Sequence, residues 1–153
     1  MIGAIRVKGL DKTLARLNGK MKSIRFKNKK GLIQAGLLVQ RGAQMNCPVD
    51  LGNLKASGFT VWGPSSPIKV FGFKGKGAGK MGTEHARVTM QEKMSLPAGD
   101  INPVVEVGFS AFYALYVHEK KAKHIVGDWK FLERSLNENQ GQILGIVSGS
   151  VKI

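Results

Sequence analysis

The run "GLIQAGLLVQRGAQMNC", residues 31–47, is followed at once by Pro48, and this junction constrains the fold more than any other stretch. Leu32, Ala35, Gly36, Val39, Ala43 and Cys47 recur at steps of three or four, with Ile33, Leu37 and Leu38 widening the stripe. That is the pattern of a helix with one buried face. Gly36 and Gly42 each cost such a helix about 1 kcal/mol of propensity relative to alanine, which points to a backbone that another element approaches closely. Pro48 ends the helix, because its ring withholds a donor and disfavours the helical region for Cys47. The "PVDLGNL" that follows, residues 48–54, reads as a corner. Asp50 is placed to cap a one-turn helix by accepting from the amides of Gly52 or Asn53, Gly52 to let backbone approach closely, and Leu54 to plug the core.

Before the long helix, Ile5 and Val7 alternate with Arg6 and Lys8. Asp11 is a fitting N-cap for a helix carrying Leu14 and Leu17. Residues 20–30 hold six basic residues around Met21, Ile24 and Phe26, a continued or second amphipathic helix with a basic outer side. Beyond the corner, "GFTVW" (58–62), "IKVFGF" (68–73) and "PVVEVGFS" (103–110) read as strands, the first two joined as a hairpin by "GPSSP" (63–67). "EHARVTM" (84–90) alternates Ala86, Val88 and Met90 and adds a further candidate. The segments 74–82 and 91–102 read as projecting loops. Residues 111–121 form a short helix, and a long amphipathic one starts at Asp128 as N-cap, with Trp129, Leu132, Leu136, Ile143 and Val147 on one face. The expected architecture is one α+β domain over residues 1–153, an antiparallel sheet of three to five strands packed against a long central helix and a C-terminal helix.

The chemistry is sparse. "GAGKMG" sets Gly77, Gly79 and Gly82 at dinucleotide-fingerprint spacing with Asp100 downstream, but the reading lacks the crossover helix that such a site requires. His85, His118 and His124 lack the one-turn spacing of metal ligands, and Cys47 falls on the apolar stripe, where cysteine acts as a small hydrophobe. No catalytic residue, metal site or cofactor is expected, nor is an enzyme. The single cysteine excludes an internal disulfide, and no apolar run is long enough to span a bilayer, so no membrane partner is expected. The start of the chain lacks a signal peptide's apolar core. The charge stands out instead: 24 Lys and Arg against 10 Asp and Glu, formally +14. Such a surplus favours a polyanionic partner, nucleic acid or an acidic protein face. Non-specific nucleic-acid binding is therefore one reading, with basic clusters at 20–30, 74–80 and 120–123 and with Phe71 and Phe73 available for stacking.

The order of the pieces supports another reading. Pro48, Val49, Asp50, Gly52, Asn53 and Leu54 are followed by Tyr113, Ala114, Tyr116 and Val117, and then by Phe131, Leu132 and Leu136. This succession, over residues 9–147, resembles the neck and tail-completion proteins of tailed bacteriophages, whose pattern is Pro-Val-Asp-Thr-Gly-x-Leu, then Tyr-Ala-x-Tyr-Val-Glu, then Phe-Leu-x-x-Ala-Leu. Leu51 stands where the family has threonine, and His118 is inserted before Glu119. The resemblance implies a structural virion protein, made in the host bacterial cytoplasm and placed at the head–tail junction. It would form a sixfold or twelvefold homo-oligomeric ring between the portal-side connector or adaptor and the tail tube or tail terminator, with DNA passing through the channel. Pro48, Asp50, Gly52, Leu54, Tyr113, Tyr116, Phe131 and Leu132 would then be scaffold. Phe73, Lys74, Lys76, Lys80, Lys120 and Lys121 are the expected contacts to neighbouring subunits.

Overall fold

The computed structural model describes residues 10–99, 101–121 and 126–151. Ile5 and Val7 lie outside them, as do Asp100, Lys123 and His124. The first element is a helix of 37 residues, α1 (Leu10–Asn46), about 55 Å long at the rise of an α-helix. Residues 20–30, read as a continued or second amphipathic helix, are continuous with the helical stretches on both sides, and Gly19 and Gly31 do not interrupt the helix. Asp11 lies in its first turn instead of capping it. After the corner come α2 (Asn53–Ala56), β1 (Gly58–Val61), α3 (Ala78–Ser95) and β2 (Glu106–Phe109). The chain closes with α4 (Ala114–Glu119), α5 (Phe131–Glu138) and α6 (Gln140–Val151).

The expected sheet of three to five strands is not there. Among the described residues the sheet has two strands, β1 antiparallel to β2 with Gly58 opposite Phe109 and Val61 opposite Glu106. The expected hairpin between 58–62 and 68–73 does not form. Residues 68–73 are extended without a ladder, and Gly72 takes a φ of 89°. Their side chains pack on α3 instead, where Val70 and Phe73 lie over Gly82. Residues 84–90 belong to α3, whose buried residues are Gly82, His85 and Thr89. Those three keep helical spacing, but a glycine, a histidine and a threonine do not register as an apolar stripe, whereas the alternating Ala86, Val88 and Met90 mimic a strand. α3 takes in residues 78–82 and 91–95 of the segments read as projecting loops, 74–82 and 91–102.

α1 is the spine. The β1–β2 pair lies against it at Gly36, where an added Cβ would come within 2.6 Å of Val105 Cγ1. Gln40 Nε2 donates to the Gly58 carbonyl at 3.0 Å, its Oε1 accepts from Thr60 at 2.7 Å, and Gln44 donates to Lys55 O at 2.8 Å. α5 and α6 run back along α1: Ser135 sits against Gly42, and Ser150 against Gly31. Ser135 Oγ, fully buried, donates to the Val39 carbonyl at 2.7 Å. The two glycines that weaken the long helix by propensity are therefore the places where the sheet and α5 reach its backbone.

The C-terminal helix is divided. Asn139 interrupts it with φ near −100°, and its amide and side chain both donate to Ser135 O. Asp128 does not cap it. Its Oδ1 accepts from the Trp129 amide at 2.8 Å and its Oδ2 pairs with Arg134 at 3.1 Å, while Lys130, at φ 52°, precedes the first helical residue.

Candidate functional site: an interaction surface

The three sequence blocks that carry the resemblance, far apart in the chain, meet around one core. Leu54, Ala114 and Phe131 are buried with Ala43 and Cys47, and Tyr113, Val117 and Leu132 pack against this cluster. Phe131 meets Phe109 and His118 edge-on, with ring centres 5.0 Å away in each case. Pro48 is half-buried at the end of α1, and the crossing chain at residues 126–128 locks it there. Val49 N donates to Val126 O at 3.3 Å, and Asp128 N donates to Asn46 O at 2.9 Å.

Two parts of the corner differ from expectation. Asp50 makes no cap: α2 starts after Gly52 with no side-chain hydrogen bond, and Asp50 is exposed. Leu51 offers no acceptor either, so the start of α2 has no side-chain cap. Asp50 instead acts electrostatically on Tyr113, whose hydroxyl pKa is raised first by burial and then by the charge of Asp50. Gly52 has open space around its Cα and is needed for its φ of 82°, not for close approach. The glycine that does permit close approach at this corner is Gly127, a position that sequence patterning did not single out. Tyr116 is also placed differently from the scaffold role expected of it, because it is exposed and lies under the Lys120 ammonium.

Four of the residues expected to contact partners come together. Phe73, Lys76 and Lys80 line a hollow of about 420 Å³ with Met81, Glu84, Ser110 and Phe112. Lys74 is held beside it by Asn53, which accepts from its amide at 2.7 Å and donates to its carbonyl at 3.0 Å. Lys120 and Lys121 stand apart from them, Lys120 over Tyr116 and Lys121 5.9 Å from the centre of the Trp129 ring. A helix does follow "GAGKMG", contrary to expectation, with Gly77 at its N-cap. The βαβ unit that dinucleotide binding requires is still missing among the described residues, since the only strand pair is antiparallel.

His85 is the buried polar group of this region. Its Nε2 donates to the Lys69 carbonyl at 3.0 Å and its Nδ1 lies 2.6 Å from Ser110 Oγ. It therefore ties the extended segment to the end of β2, and Phe73 packs on its ring at 5.6 Å. The serine–imidazole contact has the form of a nucleophile–base pair, but Ser110 is 9% exposed and its hydroxyl also lies against Ser57 O, as a structural cross-link does. Among the described residues no cluster of His, Cys, Asp and Glu could hold a metal ion, and no helix is long and apolar enough to cross a membrane.

Burial lowers the pKa of His85, and the Lys69 hydrogen bond only partly opposes this. The unfolded imidazole, near 6.5, then takes up a proton more readily than the folded one. Stability from this group is full above about pH 6.5 and falls as the pH drops through that value, levelling off below the folded pKa. Glu106 acts with the opposite sign, since burial and then Glu92 raise its carboxyl. Comparing wild type with His85→Asn cancels that contribution. Between pH 7.5 and 5, urea melts should show the wild type losing more stability than the variant; equal losses would remove His85 as the cause.

Large apolar side chains are exposed over much of the surface. Phe112 is 89% exposed, Leu115 73% and Tyr116 61%, and these line one shallow hollow with Glu119 and Lys120. Phe71, Met45, Met94 and Leu144 are exposed elsewhere. A second apolar groove, of about 530 Å³, has α1 as its floor (Leu32, Ala35, Gly36, Val39), with β2 forming one wall and α4–α6 the other. The chain exposes 10828 Å² at a mass of 16.6 kDa, whereas a compact monomer of that mass exposes about 7,600 Å². Adjacent exposed apolar side chains such as Phe112, Leu115 and Tyr116 mark contact with other macromolecules. No protein family, curated protein or solved structure matches this chain.

Proposed function

We propose that the protein is a structural subunit of a tailed phage's head–tail junction, a non-enzymatic building block that works as a homo-oligomeric ring between portal-side connector and tail. The observation that carries the reading is the convergence of the three motif blocks on a single core, with Leu54, Ala114 and Phe131 in one buried cluster. The exposed apolar side chains fit the same reading, because a ring subunit covers them only when copies associate. The lysines around the Phe73–Phe112 hollow suit an acidic face on a neighbouring protein.

The test is electron microscopy of phage particles carrying a tagged copy of the chain. Density or label at the portal–tail junction is expected; label elsewhere on the particle, or in none, would sink the proposal. The second reading, a nucleic-acid-binding module, draws on ten basic residues against one acidic in residues 1–30. It predicts micromolar DNA binding that weakens steeply with salt.

A further inference from the structure

α6 ends at Val151, close to where Ser150 meets Gly31, so the N-terminal part of α1 runs on beyond the body. Residues 10–26 of this arm span about 25 Å, and positions 11–23 are exposed throughout. Leu14, Leu17 and Met21 are 46%, 53% and 41% exposed, and Ile24 is half-buried. Their spacing of three, four and three residues is the seam of a helix made to pack against a partner. An isolated helix of this length is marginal in water, and Gly19 weakens it further. The seam therefore needs a cover.

We propose that the arm of one copy docks in the apolar groove between α1, β2 and α4–α6 of the next copy. This deepens the ring reading and rests on it. The arm cannot reach the groove of its own chain, because the groove's floor is the same rigid helix further on, at Leu32–Val39. Pairing arm with arm would set one strongly basic segment against another, since residues 1–30 carry ten of the basic residues and only Asp11 of the acidic ones. The groove sets no such repulsion. Leu132, Leu136, Ile143, Val105 and Val107 line it, with Glu133 at its wall. Glu133, Glu119, Asp128 and Glu138 on this side are each paired within the chain, with Lys130, His118 and Arg134, so the rim carries little net charge. The apolar seam of the arm matches this apolar lining, and the balanced rim accepts the flanking Lys and Arg side chains that a second arm would repel. Such a contact is heterologous, since the two surfaces differ, so it propagates from copy to copy, as the subunits of a ring require.

The experiment is sedimentation of the full chain as wild type, as Leu17→Asp (arm lost) and as Leu136→Lys (groove lost). Both substituted side chains are more than half exposed, so the body keeps its fold. Wild type should sediment as an assembly larger than a dimer, and each variant as a 16.6 kDa monomer. Mixing the two variants leaves one intact arm and one intact groove, and should give a one-to-one heterodimer and nothing larger. If wild type assembles and the variants still match it, or the mixture stays monomeric, the docking fails while the ring stands. A wild type that remains monomeric at millimolar concentration overturns both. Assembly unchanged in Leu17→Asp with DNA binding lost would give the arm to nucleic acid instead.

Discussion

Gly127→Ala is expected to lower the melting temperature by roughly 10 °C or more, the consequence of losing about 3 kcal/mol or more from a domain of this size. Gly127 sits where the chain before α5 crosses the end of α1. Its φ is 84°, a conformation that costs a side chain about 1–2 kcal/mol. A Cβ there would also lie 2.4 Å from the carbonyl carbon and oxygen of Cys47 and 2.5 Å from Pro48 N. Those are backbone atoms, held on either side by the bonds from Val49 to Val126 and from Asp128 to Asn46, so relief requires the crossing to open. Opening it releases the segment that delivers Phe131 to the core. Gly141→Ala is the matched control, because nothing lies within 4 Å of its added Cβ and the site is inside α6. It should be neutral or stabilising by up to about 1 kcal/mol. A Gly127→Ala protein that melts within two or three degrees of wild type would show that the crossing does not hold the corner.

The long helix, its stop at Pro48, Leu54 in the core, β1, β2 and the short helix α4 were legible in the sequence, because each rests on a local rule: apolar period, proline geometry or β-branched runs between turns. The packing role of Gly36 and Gly42 was legible for the same reason, as an otherwise unexplained propensity cost. What escaped was tertiary. α3 buries Gly82, His85 and Thr89, a face with no apolar signal, and it turns one expected strand and parts of two expected loops into helix. Residues 68–73 have a strand's composition, but their side chains pack on α3, so they gain no ladder. Gly127 escaped because a glycine's need for close approach is invisible until the second segment is in place. The candidate contact surface divides in the same way. The lysines around Phe73 were suspected from charge, whereas Phe112, which joins two exposed hollows, was read only as part of a short helix and lies just before α4.

Two phenylalanines give the second large effect by their contrast. Phe131 is 1% exposed, packed edge-on against Phe109 and His118 and touching the cluster of Ala43, Cys47, Leu54 and Ala114. Phe131→Ala should cost about 3–5 kcal/mol, combining lost transfer energy with a cavity that α1 and α4 cannot collapse to fill. Against a typical total stability of about 5–15 kcal/mol, this leaves the variant marginal in thermal and urea melts. Phe131→Leu, closer in volume, should retain most of the stability and lose about 1.5 kcal/mol. Phe112, at 89% exposure, predicts the reverse. Phe112→Ala should melt within about 0.5 kcal/mol of wild type, as exposed sites do, yet weaken association if its ring fills a neighbouring subunit as an interface anchor does. Measuring both variants by melting and by sedimentation separates a residue that holds the subunit together from one that joins it to others. A strongly destabilised Phe112→Ala, or a Phe131→Ala that melts like wild type, would mean that the core and the contact face have been exchanged.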